Sequence, residues 1–169
     1  MPASEQGVAV SKNRYQLIPR VLCFVLHGED VLLLKGAPTK KIWPNKYNGL
    51  GGHLERRESP AAAARREIKE EAGLEVTELR LRGTILIDTG EAAGIGLYVF
   101  TAQAASRAVV ASGEGSLEWV PLSRVQEFDL VEDLFTLLPR LFSLPPTAPP
   151  FSVVYFYDEQ DKWVIRFEE

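Results

Sequence analysis

The sequence predicts a single α/β (α+β) domain, a mixed β-sheet covered by helices on both faces. Three observations predict it. The chain has 169 residues, 46% of them hydrophobic, an ordinary size and composition for one globular core. The two apolar runs within residues 20–35, RVLCFVLHGEDVLLLK, are apolar at nearly every position instead of at alternate ones, as in strands buried on both sides. Residues 60–72 carry small and apolar side chains at helical spacing, which supplies one of the covering helices.

Residues 1–14 are polar without periodicity and read as a mobile arm ahead of a domain spanning 15–169. Gly28-Glu29-Asp30 separates the first two runs as a hairpin turn. Residues 36–48, GAPTKKIWPNKYN, mix turn formers with lysines and aromatics, a loop of the kind that carries binding residues. It leads into a short glycine-rich strand at 49–54. Ser59 reads as an N-cap, Pro60 as the first helical position and Gly73 as the terminator, so a helix is expected over 60–72. Its stripe is Ala61, Ala64, Ile68 and Ala72, narrow enough to approach a sheet closely. Further strands are expected at 78–87, 94–104 and 117–120, and a second helix at 131–143. After the Pro-rich connector 144–150, residues 152–157 and 162–167 flank Asp158-Glu159-Gln160-Asp161 as a closing hairpin. That hairpin is too small to hold a core of its own, and no internal repeat marks a second domain.

A formal charge of -4 gives no footprint of the clustered cationic surface on which duplex nucleic-acid binding depends, so polymeric nucleic acid is not expected as a main partner. An acidic chain can still bind phosphorylated small molecules when a divalent metal between carboxylates and phosphates reverses the local sign. Cys23 is the sole cysteine, so neither an intramolecular disulfide nor a cysteine-rich zinc site is available. The opening residues lack an apolar signal core, and no apolar run approaches membrane-spanning length, so a cytoplasmic protein without a membrane partner is expected.

The chemistry concentrates after Gly52, in GHLERRESPAAAARREIKEEAGL. Glu67, Glu70 and Glu71 stand at i, i+3 and i+4, within about 100° of arc on one helix face. Three like charges so close destabilise a solvated helix by a few tenths of a kcal/mol per pair. A hard cation reverses that sign, because Mg²⁺ takes carboxylates together with substrate phosphates. The plainer reading of REIKEEAG is a solvated surface helix with incidental clustering. Spacing separates the two. Gly52, Glu58, Arg66, Glu67, Ile68, Glu70, Glu71, Gly73 and Leu74 match the Nudix box at every place: Gly, five residues, Glu, seven residues, Arg-Glu, an aliphatic, any residue, Glu-Glu, any residue, Gly, an aliphatic. Seven fixed identities at about 7% each coincide on the order of once in a hundred million starting positions.

The chain thus resembles the Nudix (MutT-like) hydrolases, and the resemblance implies a mixed sheet between helices (α/β/α) with a loop-helix-loop metal site over 52–74. It implies that Glu67, Glu70 and Glu71, with the carbonyl of Gly51, ligate Mg²⁺, for which Mn²⁺ can substitute. Arg66 would orient the glutamates and Glu58 would fix the loop. Residues 46–52 are similar to the strand entering the box in the 8-oxo-dGTP and purine nucleoside triphosphate diphosphatases. Residues 114–119 resemble the segment carrying one further acidic residue over the metals, here Glu114, and the final hairpin with Phe151, Tyr155 and Tyr157 resembles their C-terminal strands. By the same resemblance Asn48 would lie at the floor of a base pocket, against the plain reading of a turn residue before Gly49. Tyr47 and Trp43 either line that pocket or pack, and Lys35 either meets the substrate or is solvated. Glu132 and Asp133 lie where related enzymes read an oxidised purine, although Val131 departs from the aromatic of some relatives. His53 stands where several relatives have lysine.

The activity implied is hydrolysis of a nucleoside diphosphate linked to another moiety, with a (d)NTP or 8-oxo-dGTP giving monophosphate and pyrophosphate. ADP-ribose, a dinucleoside polyphosphate, coenzyme A or an RNA 5′ end are alternative substrates, and a non-catalytic nucleotide-binding regulator is the alternative from another class. The expected partner is a small nucleotide bound by a monomer or homodimer.

Overall fold

The computed structural model describes residues 2, 6–7, 14–110 and 113–168; the arm expected at 1–14 lies largely outside the described residues. The element order is β1 (Gln16–His27), β2 (Asp30–Gly36), β3 (Tyr47–Asn48), α1 (Pro60–Ala72), β4 (Val76–Ile87), β5 (Ala93–Ala104), β6 (Gly115–Pro121), a 3₁₀ turn (Leu122–Glu127), α2 (Leu134–Ser143), β7 (Phe151–Tyr157) and β8 (Trp163–Glu168). The strands form one mixed sheet in the order β3-β2-β1-β5-β4-β7-β8, with β6 paired to β2. β1 runs parallel to β5 and β4 parallel to β7, while the other pairings are antiparallel.

Two apolar cores flank this sheet, which explains the unbroken apolar runs of the first hairpin. Along β1, Val21, Cys23 and Val25 enter one core, while Leu22 and Phe24 enter the other. In β2, Leu32 and Leu34 divide from Val31 and Leu33 in the same way. Alternate strand residues point to opposite faces, so a strand buried on both must be apolar throughout. α1 closes the first core with Ala63, Ala64, Ile68 and Ala72, and α2 closes the second with Leu134, Leu137, Leu138 and Leu141. Truncating a side chain as fully enclosed as Ile68 costs about 2–5 kcal/mol.

Four details differ from the sequence expectation. β1 begins at Gln16 because residues 16–19 pair with 93–96 of β5, although their side chains are exposed and leave no apolar signature. The segment 49–54 is not a continuous strand; it meets β1 through two isolated bridges, Arg20 with His53 and Cys23 with Leu50. α2 starts at Leu134 instead of Val131, since the Val131 N–H donates to the Tyr47 carbonyl (3.0 Å). Finally, Ala61 is exposed and Ala63 takes its place in the buried stripe. That rotation brings Glu71 to the covered side of α1.

Candidate active site

α1 is fixed at both ends by local chemistry. Ser59 Oγ accepts from the Ala62 N–H (3.2 Å), and Pro60 lacks the donor that this position would leave unpaired. Gly73 adopts φ +70° and donates to the Lys69 carbonyl (2.9 Å), a left-handed cap that glycine takes without strain. The loop before the helix lies along β1: Val21 N–H donates to the Gly52 carbonyl (2.9 Å) and Cys23 N–H to the Leu50 carbonyl (2.7 Å). Neither bond uses the carbonyl of Gly51. Gly51 has φ +152°, and a Cβ there would sit 2.1 Å from the Val21 carbonyl oxygen, so only glycine lets the two backbones approach this closely.

Arg66 is the hub of the site. Its Nε and Nη2 donate to the two oxygens of Glu58 (2.8 and 3.0 Å), and Nη1 donates to Glu67 (2.7 Å) and Glu70 (3.1 Å). Nη2 also donates to the His53 carbonyl (2.9 Å), tying helix to loop. The planar guanidinium fork suits this geometry as a lysine could not. The hydrogen bond from Arg66, helped by the Glu55 N–H, holds the Glu58 carboxyl down to about 2.

Glu71 faces the other way and is buried, with 5% of its surface exposed. Its Oε2 accepts from the Gly51 N–H (2.8 Å). Burial pushes its carboxyl up to about 7; the Gly51 N–H opposes this, the charges of Glu114 and Glu67 add to it, and Lys40 opposes it. Burial, with the same Glu71 and Glu67 charges, raises the thiol of Cys23 beneath them. Glu67 lies against Gly52, where a Cβ would come within 2.4 Å of its carboxylate. Glu114, at the approach to β6, pairs with Lys40 (3.1 Å).

Among the described residues, no three His, Cys, Asp or Glu side chains are gathered as a group that could hold a metal ion. Arg66 draws Glu67 and Glu70 to itself while Gly51 takes Glu71, an arrangement that separates like charges. The donors within reach of one another are nonetheless all hard oxygens, one of them a desolvated carboxylate crowded by two others. This donor set fits a Mg²⁺-type cation and not a soft metal.

Several of the residues expected near a base adjoin one another: Lys35 pairs with Tyr47 between β2 and β3, and the Val131 N–H donates to the Tyr47 carbonyl just ahead of Glu132 and Asp133. Tyr47 is packing: it is 8% exposed, its ring meets Phe128 edge-on, and its hydroxyl donates to Glu118 (2.6 Å). Lys35 Nζ lies 5.4 Å from the centroid of that ring. Trp43 is half exposed at φ +53° in the loop, and Asn48 Oδ1 accepts from the Gly49 N–H (2.8 Å), as a turn residue would. Glu132 is exposed, whereas Asp133 is partly buried; burial, with the charge of Asp133 adding to it, raises the Tyr155 hydroxyl pKa. Sequence reasoning passed over Lys40, whose charge reaches Glu71; the only available signal was its place among the lysines of the loop at 36–48.

The family model for the NUDIX domain matches residues 16–141. Over 107 residues the chain is 29% identical to the oxidized purine nucleoside triphosphate hydrolase of Danio rerio, covering 63% of this chain and 69% of that protein. Its fold matches a MutT protein from Bacillus halodurans with a TM-score of 0.72 at 22% identity, over 90% of this chain and 98% of the other. The NUDIX domain of Shewanella oneidensis NrtR, solved with ADP ribose, matches with a TM-score of 0.66 at 18% identity, over 85% and 98% of the two chains. With the motif complete and the fold shared, the chain belongs to the NUDIX domain family and is a Nudix hydrolase.

Proposed function

We propose that this Nudix hydrolase is a Mg²⁺-dependent diphosphatase of purine (deoxy)nucleoside triphosphates, 8-oxo-dGTP among them, releasing the monophosphate and pyrophosphate. The observation that carries the reading is Glu71: a buried carboxylate held by the Gly51 N–H, with the charges of Glu67 and Glu114 acting on it. Such crowding raises the energy of the empty site and is relieved by a cation. Glu67, Glu70, Glu71 and Glu114, with the Gly51 carbonyl, are the residues that would hold Mg²⁺ or Mn²⁺. When bound, the ion neutralises phosphate oxygens and lowers the pKa of a water. Arg66 and Glu58 keep the carboxylates in register, and a carboxylate of the cluster accepts the proton of the attacking water. Asp133 and Asn48 are the polar groups offered to the base, while exposed Trp43 is available to stack. The likeness to the zebrafish enzyme supports a purine substrate. A small nucleotide partner and a cytoplasmic site of action belong to the same proposal.

The test is pyrophosphate release in Mg²⁺ from normal and oxidised purine and pyrimidine triphosphates, with ADP-ribose followed by its own products. The highest kcat/KM is expected on a purine triphosphate, with activity abolished by chelation and lowered at least about 100-fold in Glu71→Gln. Turnover of no substrate, or a Glu71→Gln enzyme as active as wild type, would overturn the reading.

A further inference from the structure

Arg20, on β1 beside the box, makes no pair with the box carboxylates among the described residues. Arg66 is matched by three glutamates, and buried Arg82 donates to the carbonyls of Leu144 and Pro145 (3.1 Å each). Arg20 makes no ion pair among the described residues, and its Nε is buried with no hydrogen-bond partner. A buried donor left unmatched costs about 1–3 kcal/mol, and more on a charged group, so it calls for an explanation.

Its place in the fold suggests one. On β1, Arg20 stands opposite His53 in the segment that enters the box and beside Leu97 of β5. The next residue, Val21, makes the backbone contacts to Gly51 and Gly52 described above. By strand alternation Arg20 shares the face of Leu22 and Phe24, opposite to α1. Along its row the register continues through Leu97 to Ile85 and Val153, all of them part of, or packed against, the α2-side core. Arg20, a partly exposed residue, therefore ends an apolar row whose inner members Ile85 and Val153 are buried in the core, and it does so opposite His53 of the box segment.

We infer that Arg20 binds a phosphate group of the substrate, holding it from the face opposite α1. A guanidinium gives a phosphate charge-assisted, directional hydrogen bonds and lowers the cost of a charge left unpaired. The inference rests on the nucleotide reading above for the identity of the substrate. The phosphate could be the one retained in the monophosphate or part of the leaving pyrophosphate, which direct binding distinguishes.

The test is calorimetric binding of a purine nucleoside monophosphate, of inorganic pyrophosphate and of the unphosphorylated nucleoside, each with Mg²⁺, to the wild-type chain, Arg20→Met and Arg20→Lys. Arg20→Met is expected to weaken one phosphate ligand about 10- to 100-fold, as loss of a charge-assisted hydrogen bond does, and to leave the nucleoside unchanged. Arg20→Lys recovers part of the loss, and KM rises in Arg20→Met with little change in kcat. If Arg20→Met proves unstable, the Arg20→Lys ligand affinities and KM carry the comparison. Monophosphate and pyrophosphate affinities both within twofold of wild type, or nucleoside binding lost in parallel, would overturn the inference. Because these affinities need no turnover, a wild-type chain that hydrolyses nothing is a separate result.

Discussion

Asp133 is expected to destabilise the folded protein near neutral pH, and replacing it with asparagine should show by how much. Burial raises its carboxyl from the ordinary 3.8 to about 6; its own backbone N–H opposes this, the charge of Glu132 adds to it, and the Leu134 N–H opposes it. A carboxyl whose pKa is higher folded than unfolded favours the fold fully below pH 3.8 and loses that advantage as pH rises through 6. The shift of about two units corresponds to roughly 3 kcal/mol above that window. Asp133→Asn keeps the shape and an accepting oxygen but removes the titration. Relative to wild type it should therefore be up to about 3 kcal/mol more stable at pH 7.5, or about 6–12 °C in Tm for a domain of this size, and equal below about pH 4. Urea unfolding of both proteins from pH 4 to 8 measures the difference, in which titrations common to both cancel. A difference that does not vary with pH, or an asparagine variant less stable at pH 7.5, refutes the reasoning. If the carboxylate also meets the base, the stabilised variant will lose kcat/KM, as expected where a site is kept at the expense of stability.

Tyr155 is 0% exposed and its hydroxyl has no hydrogen-bond partner among the described residues, so Tyr155→Phe should add about 1 kcal/mol in urea unfolding while the ring keeps its edge contact with Trp163; a loss of similar size would reveal a partner for the hydroxyl. Arg66→Lys keeps the charge but not the fork that serves Glu58 and Glu67, so unfolding free energy should fall by about 2 kcal/mol and kcat by about 10- to 100-fold, and full retention of both would remove Arg66 from the centre of the site. Gly52→Ala pushes only on the flexible end of Glu67 and should melt within a few degrees of wild type yet lose about 100-fold in kcat, whereas Gly51→Ala meets the Val21 backbone and should unfold more readily; the reverse order of melting temperatures would contradict this geometry.

The parts of the fold legible in the sequence are those fixed by local chemistry or by burial. Ser59, Pro60 and Gly73 bracket α1 because caps act within a few residues, and the first hairpin was readable because both faces of its strands are covered. Residues 16–19 were not readable as strand, since their pairing with β5 leaves the side chains in water. The start of α2 depends on a bond from Val131 to Tyr47 that no local pattern encodes. In the site, helical spacing put Glu67, Glu70 and Glu71 in neighbouring turns of α1, but Arg66 holds the first two while Glu71 turns to the loop, and the groups that act on the Glu71 carboxyl come from elsewhere: Gly51 from the loop, Lys40 from the segment before it and Glu114 from the residue ahead of β6. Tyr47 illustrates the limit most plainly, because whether an aromatic beside a glycine loop stacks on a ligand or packs on Phe128 is decided by the tertiary fold.

The most direct measurement is the anomalous scattering of a crystal soaked in Mn²⁺. A peak is expected about 2.1 Å from oxygens of Glu67, Glu70 or Glu71 and from the Gly51 carbonyl, with Arg66 released from at least one of the glutamates it now holds. A map without such a peak, with Glu67 and Glu70 still on Arg66 and Glu71 still on the Gly51 N–H, would contradict it.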